Sequence, residues 1–80
     1  IYDFVFQLGA FRDPGIVDDL RQRLEGRGLR TRMERSGKLY LVMVVMRGTD
    51  ERAREVEAIA QDMHLGKPLM RSRKPVPGRR

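Results

Sequence analysis

His64 is the single histidine of the chain, and there is no cysteine. One imidazole without a thiol cannot be assembled into a convincing Ser–His–Asp or Cys–His set. His64 stands beside Gly66 at the end of a predicted helix, where it reads as a capping or surface residue. A metal would have to rely on carboxylates. Glu51, Glu55 and Asp62 are interleaved with arginines and read as solvated helix charges. Gly9, Gly26 and Gly28 lack the strand–loop–helix spacing that cradles a phosphate. The chain is therefore expected not to be an enzyme, and to use no cofactor and no metal. Gln7 is different. It is a polar side chain on an otherwise apolar strand, and its amide can both donate to and accept from hydroxyl groups. The same residue would also serve as a surface glutamine bonded to water or to a neighbouring loop.

The elements that must position Gln7 follow from the pattern. In residues 2–8, Tyr2, Phe4, Phe6 and Leu8 alternate with Asp3, Val5 and Gln7, which predicts a half-buried strand that Gly9 ends. Phe11 follows and anchors the loop in the core. Asp13-Pro14 is a helix start, because Asp caps free N–H groups and Pro fits the first helical position. Ile16, Val17, Leu20 and Leu24 form one face, and Gly26 and Gly28 stop the helix. Leu29, Thr31 and Met33 then alternate with Arg30, Arg32 and Glu34, and Ser36-Gly37 turns the chain into a hairpin. Residues 39–46 are apolar on both faces, as in a strand at the middle of a sheet. Tyr40, Val42 and Val44 are assigned to the core, and Leu39, Leu41, Met43 and Val45 to the other face. Thr49-Asp50-Glu51 opens a second helix with the stripe Ala53, Val56, Ile59, Ala60 and Met63, and Gly66 is the expected C-cap. Residues 67–74 form a short basic edge strand.

The expected fold class is α+β. The order is βαββαβ: a four-stranded antiparallel sheet with two helices on one face, as in RNP-like and ferredoxin-like domains, and with strands one and three central. Residues 1–74 are expected to be the domain and residues 75–80 a flexible basic tail. Eighty residues support one modest core, burying about 60–65% of the surface of the unfolded chain. No segment is long and apolar enough to span a bilayer. The chain opens at Ile1 rather than Met, as expected of a piece of a longer protein.

Seventeen Lys and Arg stand against eleven Asp and Glu, a net +6. Lys67, Arg71, Arg73, Lys74, Arg79 and Arg80 carry all of this excess, so the rest of the chain balances. A nucleic-acid footprint belongs on a folded docking face rather than a tail. The RNA-binding domains of this order also need aromatic rings on the open sheet face, and here Tyr2, Phe4, Phe6 and Tyr40 are assigned inward. No nucleic-acid partner is expected.

The segment Phe6-Gln7-Leu8-Gly9-Ala10-Phe11 resembles the opening signature of the SPOR (sporulation-related) domain, a Gln-x-Gly-Ser/Ala-Phe motif. The resemblance extends through Gly28, the Ser-Gly turn and Tyr40-Leu41-Val42-Met43-Val44, to about residue 74. It implies a SPOR fold and a non-catalytic module that binds peptidoglycan glycan strands stripped of their stem peptides. Such a module targets its parent protein to the cell wall or division septum. The implied location is the periplasm or cell envelope, within a larger anchored or exported protein that meets the membrane only through its own anchor. By position, the resemblance implies Gln7 and Ala10 on strand one, and Leu39 and Leu41 on strand three, as glycan contacts. Met43 joins them on the open face. Two positions depart from the family pattern. Leu41 stands where an arginine is common, and Val45-Met46-Arg47 replaces the usual Val-Gly-Pro-Phe. The alternative reading is a protein-interaction or dimerisation module that uses an apolar patch around Leu41 and Met43, with a homodimer as its product.

Overall fold

The computed structural model describes residues 1–77. It contains β1 (Tyr2–Phe11), α1 (Pro14–Gly26), β2 (Arg30–Ser36), β3 (Leu39–Gly48), α2 (Asp50–Asp62) and β4 (Leu69–Pro75). The strands form one antiparallel sheet in the order β2-β3-β1-β4, with β1 and β3 central as expected. Both helices lie on one face. Val17, Leu20 and Leu24 of α1 and Ala53 and Val56 of α2 share a core with Phe4, Phe6, Leu8, Val42 and Val44 of the sheet. None of the described helices is long and apolar enough to cross a membrane.

The local signals explain most boundaries. Asp13 caps α1 by accepting the Gly15 N–H at 2.8 Å, with Pro14 in the first turn. Thr49 caps α2 by accepting from Arg52 N–H at 3.2 Å. Gly37, with φ 60°, is the first residue of the two-residue β2–β3 loop, where a hairpin of the II′ kind requires a positive φ. Ile16 departs from the predicted apolar stripe: it is exposed, so Val17, Leu20 and Leu24 alone carry the buried face of α1.

The two helices end in the same way with different residues. In α1, the Leu29 N–H reaches the Leu24 carbonyl and the Gly28 N–H reaches that of Glu25, with Gly28 at φ 89°. In α2, the Leu65 N–H reaches Ala60 and the His64 N–H reaches Gln61, with His64 at φ 61°. Both are Schellman closures. The left-handed position of α2 is therefore His64 and not Gly66, which lies two residues beyond it.

Every strand departs somewhere from its expected bounds: β2 runs over Arg30–Ser36 instead of residues 29–34, and β4 begins at Leu69 instead of residue 67. Gly9 does not end β1; the strand runs on to Phe11 through a register shift between Gln7 and Gly9. β3 reaches Gly48, because β1 pairs with it as far as Tyr2. The fourth strand includes Pro75, and the Val76 N–H donates to the Ile1 carbonyl at 3.0 Å, so the expected tail begins as part of the sheet. Residues 78–80 of that tail lie outside the described residues.

Candidate ligand-binding face

The shift in β1 determines what the open face presents. Side chains alternate along a strand, so residues three apart point to opposite faces. Leu8 is an extra residue: Gln7 pairs with Met43, Gly9 with Val42, Ala10 with Leu41 and Phe11 with Tyr40. This β-bulge resets the alternation. Gln7 and Ala10, three residues apart, now share the open face, while Leu8 and Phe11 both point toward the helices. Leu8 is buried, and Phe11 packs against the core. The Phe11 ring folds under Gly9, where a Cβ would lie 2.6 Å from Cε2, so the position admits only glycine without a shift of that ring. The Gln-Leu-Gly-Ala-Phe segment is thus a single device that turns an amide and a small side chain to one side and anchors itself on the other.

The register lays out the rest of the face as rows running across the sheet. One row holds Arg30, Val45, Val5 and Ser72. The next holds Arg32, Met43, Gln7 and Leu69, and a third holds Glu34, Leu41 and Ala10. Arg47, Asp3 and Lys74 close one end, and Ser36 with Leu39 the other. Four of the five expected site residues, Gln7, Ala10, Leu41 and Met43, therefore cluster in two adjacent rows, with Leu39 at the margin. Ala10 is exposed, and Gln7, Leu39 and Leu41 are half-buried. Met43 is not available as expected. It faces away from the helices yet is only 2% exposed, because it lies between Arg32 and Gln7, whose long stems flank it. The apolar patch imagined around Leu41 and Met43 is correspondingly smaller. Leu69 of β4 is the more exposed apolar side chain of the face, at 58%.

Gln7 has a partner that the sequence did not reveal. Arg71 Nη1 donates to Gln7 Oε1 at 2.7 Å. β4 carries its own register shift between its partners Val5 and Phe6, and Arg71 is the residue it leaves over. The bond occupies the carbonyl side of the amide and leaves the Gln7 NH2 group as a donor. In the sequence Arg71 belongs to the basic edge strand expected over residues 67–74, with no sign of which face it takes. The charge of β4 in fact divides between the two faces. Arg73 turns to the helix side, where its guanidinium lies 3.7 Å from the centre of the Tyr2 ring and makes two 2.9 Å bonds to the Asp50 carboxylate. These hydrogen bonds hold the Asp50 carboxyl below its ordinary value and raise Arg73. They clip the edge strand to the start of α2. Arg71 and Lys74 belong to the open face.

In the row of Lys74, Arg47 makes a two-bonded ion pair with Asp3, at 2.8 and 3.1 Å, and the hydrogen bond lowers the Asp3 pKa. Asp3, Val5, Arg30, Val45 and Arg47 border a shallow depression of about 410 Å³. It lies one row beyond Gln7 and Met43. The alternation of Arg30 and Arg32 with Leu29, Thr31 and Met33 was the sequence signal for their place. Among the described residues every aromatic ring lies on the helix side, and no group of three or more His, Cys, Asp or Glu could hold a metal. Sugar or base stacking on this face therefore has no ring to use.

The SPOR domain family matches residues 2–68. This chain belongs to that family. Two solved structures share the SPOR fold seen here. One is the crystal structure of the RlpA SPOR domain from Pseudomonas aeruginosa, with a TM-score of 0.69 and 19% identity, covering 86% of this chain and 97% of that one. The other is the solution structure of the peptidoglycan-binding domain of the B. subtilis cell wall lytic enzyme CwlC. Its TM-score is 0.63 at 20% identity, covering 92% of this chain and 90% of that one. Comparison with curated proteins gives no match. The family match ends before β4, so Arg71 and Lys74 lie outside it.

Proposed function

We propose that this SPOR domain is a non-catalytic module that binds peptidoglycan glycan strands from which the stem peptides have been removed, on the open sheet face. It would bring its parent protein to the bacterial cell wall, and to division septa where such strands accumulate, within the periplasm or cell envelope. The observation that carries this reading is the bulge at Leu8, which turns Gln7 and Ala10 together onto an uncovered face in a chain of this family. That face has hydrogen-bond donors at Gln7 and Arg71 and half-buried Leu41, Val45 and Val5 to take the apolar sides of sugar rings. Its two central strands run for ten residues each, a length along which an extended polymer can lie.

The competing reading, self-association through this face, meets a charge problem. Two copies placed face to face would each bring the unpaired cations Arg30, Arg71 and Lys74 to the interface, and an excess of like charge opposes docking. The deciding experiment is co-sedimentation with intact sacculi and with amidase-treated sacculi. Greater retention on the treated material is expected and should fall when Gln7 is replaced by Ala. Equal, weak retention on both would refute the proposal.

A further inference from the structure

The open face carries five cations, Arg30, Arg32, Arg47, Arg71 and Lys74, against two carboxylates, Asp3 and Glu34. Both carboxylates are taken: Asp3 by Arg47 at 2.8 Å, and Glu34 by Arg32 at 2.9 Å. Arg30, Arg71 and Lys74 have no carboxylate partner among the described residues, and all three are exposed. They stand on the two outer strands, Arg30 on β2 and Arg71 and Lys74 on β4. Three inter-strand steps separate those strands, roughly 14 Å at 4.7–4.9 Å each. Between them run the uncharged side chains of β3 and β1: Val45, Leu41, Val5, Gln7 and Ala10. The face is therefore a shallow track with a neutral floor and an uncompensated cation on each margin.

We propose that this track recognises the carboxylates that a glycan strand acquires when its stem peptides are cut away. Arg30 on one margin, and Arg71 and Lys74 on the other, are the residues that select such strands. The inference rests on the glycan-binding reading above. In an intact strand the lactyl group on each muramic acid residue is joined through its carbonyl to the peptide nitrogen, and that junction is uncharged. Hydrolysis adds water across the C–N bond. The amine departs with the peptide, and the lactyl carbon retains a carboxylate directly on the sugar ether. Removal of the peptides thus exposes the sugar faces and also places one anion on every repeat of the polymer. Peptide carboxylates on an intact strand lie residues away from the ring, held off the sheet by the stem. A guanidinium matches a carboxylate with two parallel N–H bonds, stronger than neutral ones. Arg71 is already oriented for such contact by its bond to Gln7.

The test compares peptide-free glycan strands with the same strands after their carboxylates have been reduced to primary alcohols, using titration calorimetry at low and high salt. Reduction is expected to weaken binding about tenfold or more, and to flatten the salt dependence that exposed charges impose. The double variant Arg30→Gln/Lys74→Gln, and separately Arg71→Gln, should lose the preference for unreduced strands while melting within a few degrees of the parent. Equal affinity for native and reduced strands would overturn the carboxylate proposal and leave glycan binding intact. Failure to bind either would defeat the glycan reading itself. Binding of single-stranded DNA or polyphosphate as tightly at the same salt would show an unselective polyanion face and overturn the proposal.

Discussion

Glutamate substitutions at three consecutive positions of β3 test the face assignment on which the site depends. Val42 is fully buried among residues from both helices, at 0% exposure. Replacing it removes apolar burial of about 1.5–3 kcal/mol. It also places a carboxylate where no cation can reach it, a cost of several kcal/mol more. An 80-residue domain has a total stability of roughly 4–12 kcal/mol, at about 0.05–0.15 per residue. Val42→Glu should therefore leave little or no folded protein. Leu41 is half-buried on the open face, opposite Glu34 and Ala10. Leu41→Glu keeps its carboxylate in water. It loses about 1 kcal/mol of partial burial and adds about 0.2–1 kcal/mol of cross-strand repulsion from Glu34. At about 4–8 °C per kcal/mol, its melting temperature should drop by roughly 5–15 °C.

Met43 falls between them. It faces the open side but is covered, so Met43→Glu forfeits about 1.5–3 kcal/mol of burial. Arg32 stands opposite and can receive the new carboxylate, which avoids the full cost of an unpaired charge. Circular dichroism melts should rank the damage Val42→Glu first, Met43→Glu second and Leu41→Glu third. Leu41→Glu alone of the three should remain folded enough for a clean binding assay, and its retention on peptide-free strands should fall. A tolerated Val42→Glu beside an unfolded Leu41→Glu would refute the register and the site together. A Met43→Glu as mild as Leu41→Glu would show that Arg32 and Gln7 do not close over the methionine.

Three further outcomes follow from the backbone and the ion pairs. Gly9→Ala should destabilise by about 1–3 kcal/mol through overpacking against the Phe11 ring, with displaced Phe11 ring resonances as the direct readout; an unchanged melt would show the ring free to move. His64→Gly relieves a left-handed residue that costs roughly 1–2 kcal/mol, partly offset by the entropy of glycine in the unfolded chain, so the melting temperature should rise by a few degrees. Asp3 and Asp50 have pKa values lowered from 3.8 in the folded state, each mainly by a hydrogen bond from its arginine. Their contribution is fully present above the unfolded value and is lost as pH falls through the lowered one, so stability should decline below about pH 4; Asp50→Asn should remove part of that decline, as read by melts between pH 2 and 6.

What could be read from the sequence depended on whether the determining contacts were local. Asp13-Pro14 and Thr49 announced their helices because a cap acts within a few residues of itself. The alternation in β3 gave the central strand and the inward set Val42 and Val44, because a period of two needs no knowledge of the neighbours. The Schellman closure at His64 was missed for the opposite reason. Nothing intrinsic favours histidine in the left-handed region over the glycine two residues later, and the position is set by where the bonds from Leu65 and His64 close on α2. The bulge at Leu8 was hidden behind a pattern that looked complete at Gly9, since an extra residue shows itself only against a partner strand. The family motif nevertheless placed Gln7 and Ala10 together. A strict alternation rule would have separated them, and the bulge is the physical reason the motif holds.

The charge of the chain shows the same dependence on partners more sharply. In one dimension Arg71, Arg73 and Lys74 are a single basic run near the C-terminus, and a run of that kind reads as a solvated end. Pairing with β1 breaks the run into two populations. Arg73 is consumed by Tyr2 and Asp50 on the helix side, where it fastens the edge strand. Arg71, displaced by the β4 shift, comes to Gln7, and Lys74 stands in the row of Asp3 and Arg47. A cation near the chain terminus thus becomes a neighbour of a residue 64 positions away. Arg30 of β2 and the two cations of β4 combine into one uncovered face with three cations to spare. That surplus separates this surface from a merely exposed sheet, and it is the feature on which the proposed preference for an anionic glycan rests.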